Sequence, residues 1–99
     1  MNGDYDAALM QYEKSLEICE KIGDIAGKAS SMAQMGELYF QQQEFETALK
    51  YSIQAFLIFS KIGSPNADQA KNDIALCREK MPEERFKAIL KENGMMNDE

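Results

Sequence analysis

The stretch that decides the fold is IAGKASSMAQMGELYFQQQEFETALKYSIQAFLIFSKIG, residues 25–63. Its apolar residues recur every three or four positions on both sides of the polar run at 41–44, a spacing that places them along one side of a helix. Neither half contains a proline. The stretch therefore predicts two helices, residues 25–42 and 45–62, whose connection is short enough to make them pack antiparallel.

The second of these helices has a relative earlier in the chain. A shift of forty residues aligns 4–23 with 44–63. The identities are Ala8/Ala48, Leu9/Leu49, Ile18/Ile58 and the triplet Lys-Ile-Gly, at 21–23 and at 61–63. Two unrelated amphipathic helices would rarely share the same ending. The repeat predicts a first helix over residues 5–22, with Asp4 as its N-cap and a glycine after its last turn.

The rest of the chain predicts two shorter helices and a tail. Pro65 and Pro82 each stand where a helix is expected to begin, a position that tolerates proline because its missing N–H has no helical partner. We expect helix four at 65–80 and helix five at 82–93, with 94–99 as a C-terminal tail. The apolar stripe of helix four consists of Ala67, Ala70, Ile74, Cys77 and Met81.

Composition favours a single all-α domain without chemistry of its own. Valine is absent and threonine occurs once, so the usual strand-forming residues are missing. The chain has no histidine, which excludes a Ser–His or Cys–His nucleophile pair and a histidine-bound metal. We expect no catalytic residues, no metal and no cofactor. Cys19 and Cys77 lie on the apolar stripes of different helices, and we interpret both as buried free thiols.

Charge narrows the choice of partner. Seventeen acidic residues against eleven basic ones give a net charge of −6, which argues against nucleic acid and anionic membrane surfaces. No apolar run is long enough for a membrane span, and the first residues do not read as a signal peptide. We therefore expect a cytoplasmic protein whose partner is a protein or a peptide.

Residues 25–63 resemble the tetratricopeptide repeat, with support from the related residues 4–23. The positions that carry the resemblance are Met32, Met35, Gly36, Tyr39, Phe45, Ala48, Ser52 and Ala55. Methionine replaces the family's usual leucine before the glycine, and the forty-residue period exceeds the usual period of about 34 residues, as in the longer-helix variants of the family.

The resemblance implies an all-α, right-handed solenoid of helical hairpins with about five helices. In this solenoid, 5–22 is the second helix of an incomplete repeat and 25–62 is one complete repeat. The degenerate repeat helix at 65–80 and the capping helix at 82–93 follow. A chain that starts on a second helix is expected to be a fragment of a longer array or to pack against a copy or another protein.

The resemblance also implies a function, which is protein binding by a scaffold through the concave face of the solenoid. By position, that face takes Ser30, Ala33, Glu37, Phe40 and Gln41 from helix two, and Lys71 and Arg78 from helix four if a thirty-eight-residue shift relates the two helices. The lysine and asparagine with which chaperone-binding members clamp a carboxylate would fall at Ala33 and Glu37, so that activity is not implied. The partner's identity stays open.

Helix three leaves an alternative open, because its segment 55–59 is apolar on every side. Ile53, Leu57 and Ile58 either form a surface for self-association, giving a homodimer, or lie beneath helix five. In the second case, Phe86, Ile89 and Leu90 would cover them. A regulatory fragment of a larger repeat-containing protein is a further alternative.

Overall fold

The computed structural model describes residues 3–95, which form five α-helices and no strand. The helices are α1 Gly3–Ile22, α2 Ile25–Gln41, α3 Phe45–Lys61, α4 Asn66–Arg78 and α5 Glu83–Glu92. The prediction of an all-helical array of about five helices is confirmed. Of the expected tail, Gly94 and Met95 are described, and Met95 packs against the core. The other four positions, 96–99, lie outside the described residues.

The helices α1 to α4 pack on their neighbours in the chain, and α3 is the central element. It contacts α2 on one side and α4 on another, and the last helix, α5, also packs on it. Gly36 allows the close approach of α2 and α3, because a Cβ atom there would lie 3.2 Å from the Tyr51 Cβ and 3.3 Å from the Ala48 carbonyl oxygen. The small residues of the repeat pattern therefore set the distance between these helices.

The turns after α1 and α3 are closed by the same backbone hydrogen bond. The backbone N–H of Asp24 donates to the carbonyl of Cys19 at 2.9 Å, and the N–H of Ser64 donates to that of Phe59 at 2.8 Å. This six-residue closure is the Schellman motif, which requires a left-handed residue just before the donor. Glycine occupies that position after α1 and α3, whereas α2 ends with Gln43 at φ 67°.

The core consists of two clusters joined through α3. One lies between α3, α4 and α5 and contains Ala48, Leu49, Ile53, Ile74, Cys77, Phe86 and Ile89. The other lies between α2, α3 and α4 and contains Ala29, Met32, Ala55, Phe59 and Ala70. Because both clusters draw on α3, that helix is apolar around most of its circumference.

Exposed ion pairs link α5 to α3 and α4 on the outside of this core. The Arg85 guanidinium donates two hydrogen bonds to the Glu46 carboxylate of α3, at 2.9 and 3.1 Å. Arg78 does the same to Glu83 at 2.9 and 2.6 Å, and its guanidinium lies 5.2 Å from the centre of the Phe86 ring. These hydrogen bonds lower the pKa of both carboxyl groups.

The position of α5 corrects one sequence prediction. Ile53, expected on a possible self-association surface, is fully buried, because Phe86 and Ile89 pack in the same cluster. Ile58 is half-buried against the second cluster, and only Leu57 is exposed, at 37%. Helix five therefore covers Ile53 but leaves Leu57 exposed, and Ile53 is not available to a second subunit.

Candidate functional site

Two adjoining depressions run between α2 and α4, and we call them together the α2–α4 groove. The first, of about 210 Å³, is lined by Gly36, Glu37, Phe40, Gln41, Ser52, Asp73, Leu76 and Cys77. The second, of about 200 Å³, is lined by Ser30, Ala33, Gln34, Glu37, Phe59, Asn66, Gln69, Ala70 and Asp73. Both depressions share Glu37 and Asp73, so the two acids stand where they meet.

The α2 side of the groove consists largely of the residues expected from the sequence. All five predicted residues of α2 line one depression or the other: Ser30, Ala33, Glu37, Phe40 and Gln41. Most of them follow a residue of the packed stripe by one position, as Ala33 follows Met32 and Glu37 follows Gly36. They therefore occupy one flank of α2, next to the side that packs on α3.

The α4 side differs from the expectation, because Lys71 and Arg78 line neither depression. The thirty-eight-residue shift selects residues of α4 on the same flank of the helix as the groove-lining residues of α2. Two parallel helices lying side by side on α3 must face each other with opposite flanks. The residues that face the groove therefore precede the packed residues of α4 by one position, and they are Gln69, Asp73 and Leu76, before Ala70, Ile74 and Cys77.

The packed stripe of α4 carries part of the signal for these three residues. Once Ala70, Ile74 and Cys77 are taken as the side facing α3, only two flanks remain. The direction of α2 and α4 decides between them. Arg78, on the other flank, is engaged with Glu83 of α5.

Apolar side chains line one end of the groove. Phe40 is half-buried and meets Phe45 edge to face, with ring centres 5.1 Å apart and planes at 70°. Across the first depression, Leu76 of α4 is 42% exposed. A side chain of another molecule placed between Phe40 and Leu76 would remove apolar surface of both from water, which is the usual source of affinity at such sites.

The centre of the groove is acidic. Burial raises the pKa of the Asp73 carboxyl, and the negative charge of Glu37 raises it further, while a hydrogen bond from the Gln69 amide at 3.1 Å acts in the opposite direction. The residues lining the two depressions include no lysine and no arginine. Beyond this centre, Ser30, Gln34 and Asn66 make the second depression polar.

The thiol in the floor of the groove is a packing group. Cys77 is almost fully buried, and burial raises the pKa of its thiol to about 11, so it stays protonated at neutral pH. Within residues 3–95, no three cysteine, aspartate or glutamate side chains come together as metal ligands would. None of the helices in that range has the length and apolar character needed to cross a bilayer.

Fold and groove together define a helical-repeat protein built from antiparallel helix pairs. The family model described as tetratricopeptide repeat matches residues 1–56, which cover α1, α2 and most of α3. This chain therefore belongs to the tetratricopeptide repeat family, whose repeats are non-catalytic and mediate interactions between proteins. No curated protein and no solved structure matches the chain.

Proposed function

We propose that this protein is a non-catalytic scaffold that binds a short segment of a partner protein in the α2–α4 groove. The observation that carries the proposal is the union of the two depressions along one flank of α2. Their lining includes every α2 residue that the family pattern assigns to binding, from Ser30 to Gln41. A segment lying along this flank would touch both depressions.

The binding mechanism follows from the two ends of the groove. An apolar side chain of the partner would pack between Phe40 and Leu76, and this anchor would supply most of the affinity. Polar groups at the other end, on Ser30, Gln34 and Asn66, would pair with the backbone of the segment and fix its direction. Loss of an anchor residue at such sites costs about 2 kcal/mol or more, roughly a thirtyfold drop in affinity.

The test uses peptides selected on the purified protein from a displayed random library. Phe40→Ala removes the aromatic wall, and we expect it to weaken binding of the selected peptides at least tenfold, on the scale of a lost anchor. Phe40 also touches the core, so a second variant is needed that leaves the core intact. Leu76→Ser serves this purpose, because that side chain lines the groove and belongs to neither core cluster.

The matched control is Leu57→Ser. Leu57 has a similar exposure, 37% against 42% for Leu76, but it lines neither depression. The proposal predicts weak binding for Phe40→Ala and Leu76→Ser and wild-type binding for Leu57→Ser. Equal affinities for all three variants and the wild type, measured by isothermal titration calorimetry, would remove the groove from consideration.

A further inference from the structure

The groove carries two negative charges that lack a cation. Glu37 on α2 and Asp73 on α4 line both depressions, and they are close enough for the charge of one to raise the pKa of the other. Neither takes part in the ion pairs formed within residues 3–95. Facing carboxylates in a partly enclosed site repel each other, and a cation between them would relieve that repulsion.

The basic residues of α2 and α4 themselves do not supply this cation. Lys28 of α2 is paired with Glu20 at 3.5 Å, and Arg78 of α4 is paired with Glu83 at 2.6 Å. Lys71 lies on the flank of α4 that faces away from the groove, as the order of its packed residues requires. The charge of the groove is therefore complementary to a base that comes from another molecule.

The apolar end limits what kind of base fits. Phe40 and Leu76 line the same depression as the two acids, so a cation between the carboxylates has an apolar surface immediately beside it. A free inorganic cation would leave that surface exposed to water. A peptide that carries a base next to an aliphatic residue would cover both parts at once.

We propose that the α2–α4 groove selects a partner segment in which an arginine or lysine adjoins an aliphatic side chain. The basic group lies between Glu37 and Asp73, and the aliphatic group packs on Phe40 and Leu76. This inference rests on the proposed function, since it specifies the segment that the groove binds. The net charge of −6 would also speed the approach of a basic partner.

The test titrates the isotope-labelled protein with two dipeptides, acetyl-Leu-Arg-amide and acetyl-Leu-citrulline-amide, followed by nuclear magnetic resonance. Citrulline has nearly the shape of arginine but no charge, so the pair isolates the contribution of the cation. We expect the arginine dipeptide to shift the backbone amide signals of Glu37, Asp73 and Leu76 and to bind about tenfold more tightly than its neutral analogue. It should also lower the pKa of the Asp73 carboxyl.

Two double variants with the same net charge separate the effect of the groove carboxylates from the effect of the net charge of the protein. The double variant Glu37→Gln/Asp73→Asn should abolish the preference for arginine over citrulline. Glu17→Gln/Asp68→Asn removes the same charge from exposed positions outside the groove and should preserve the preference. Loss of the preference in both double variants would show a general effect of net charge and overturn the inference.

Two further results would overturn it, and they can be told apart from failure of the proposed function. If both dipeptides shift the groove signals with equal affinity, the groove binds the leucine alone, and selection for a base is wrong although the groove is still the binding site. If the arginine dipeptide shifts no groove signal at millimolar concentration, the selection is wrong as well. The proposed function itself fails only when Phe40→Ala and Leu76→Ser leave the binding of selected peptides unchanged.

Discussion

Truncation of Ile53 tests whether α5 is part of the core of this protein. Ile53 is fully buried and shares a cluster with Leu49, Phe86 and Ile89. Ile53→Ala removes three carbon atoms from this cluster, worth about 2.4 kcal/mol of transfer free energy at ~0.8 kcal/mol per carbon. The residual cavity adds to this, and buried isoleucines truncated to alanine cost about 2–5 kcal/mol in total. We therefore expect a loss of roughly 3 kcal/mol.

The assay compares this variant with Leu57→Ala, one turn further along the same helix. Leu57 is 37% exposed and belongs to neither core cluster, so its truncation should cost less than about 1 kcal/mol. For a domain of this size, the difference of about 2 kcal/mol should appear as a gap in melting temperature of roughly 8–16 °C. Urea unfolding followed by far-ultraviolet circular dichroism gives the free energies directly.

Protein concentration is the second variable of that experiment. If α5 covers Ile53, the cost of Ile53→Ala is the same at low and high concentration, because folding is intramolecular. A cost that appears only at high concentration would mean that Ile53 is buried by a second copy of the chain. That result, or equal costs for the Ile53 and Leu57 variants, would refute the packing described above.

Three further changes test local features of the fold. Gln43→Gly should raise the free energy of unfolding by up to about 1 kcal/mol, because Gln43 has φ 67°; a lower midpoint in urea would contradict this. The Cys77 thiol, with its pKa of about 11, should react with dithionitrobenzoate in a Cys19→Ser variant only as fast as the protein unfolds, and rapid reaction of the native state would show that the site opens. The hydrogen bond from Arg85 lowers the pKa of the Glu46 carboxyl below its ordinary value of 4.5. The pair therefore stabilises the folded state fully at a pH above 4.5, and this stabilisation is lost as the pH falls through the lowered pKa. Arg85→Gln should therefore lower the melting temperature at about pH 7 more than at about pH 2, and an equal loss at both would contradict the assignment.

The sequence predicted the helices well because periodicity and the repeat constrain the same residues independently. Lys-Ile-Gly occurs at both repeat ends, and both ends close with the same backbone hydrogen bond. Gly36 and Ala48, placed by the repeat pattern, meet at a close approach in the structure. Sequence spacing was sufficient to predict these features, because each one involves a single helix end or two helices that are consecutive in the chain.

The α4 side of the groove could not be predicted in the same way. The spacing of Ala70, Ile74 and Cys77 identifies the side of α4 that packs, but not which flank of it meets α2. That choice depends on the direction of two helices that are not neighbours in the chain. A simple shift from α2 selects the flank with Lys71 and Arg78, which line neither depression. Helix α3 raised a similar problem, since its apolar segment 55–59 can be covered either by helix five or by a second subunit.

Mapping a bound peptide by nuclear magnetic resonance tests most directly whether the α2–α4 groove is where this protein binds its partner. A peptide selected from a displayed library would be titrated into the isotope-labelled protein, and the shifted backbone amides would be assigned. If the groove binds the partner, the largest shifts lie along the facing flanks of α2 and α4, centred on Glu37 and Asp73. Shifts centred on α1, or on the outer side of α3 and α5, would contradict it.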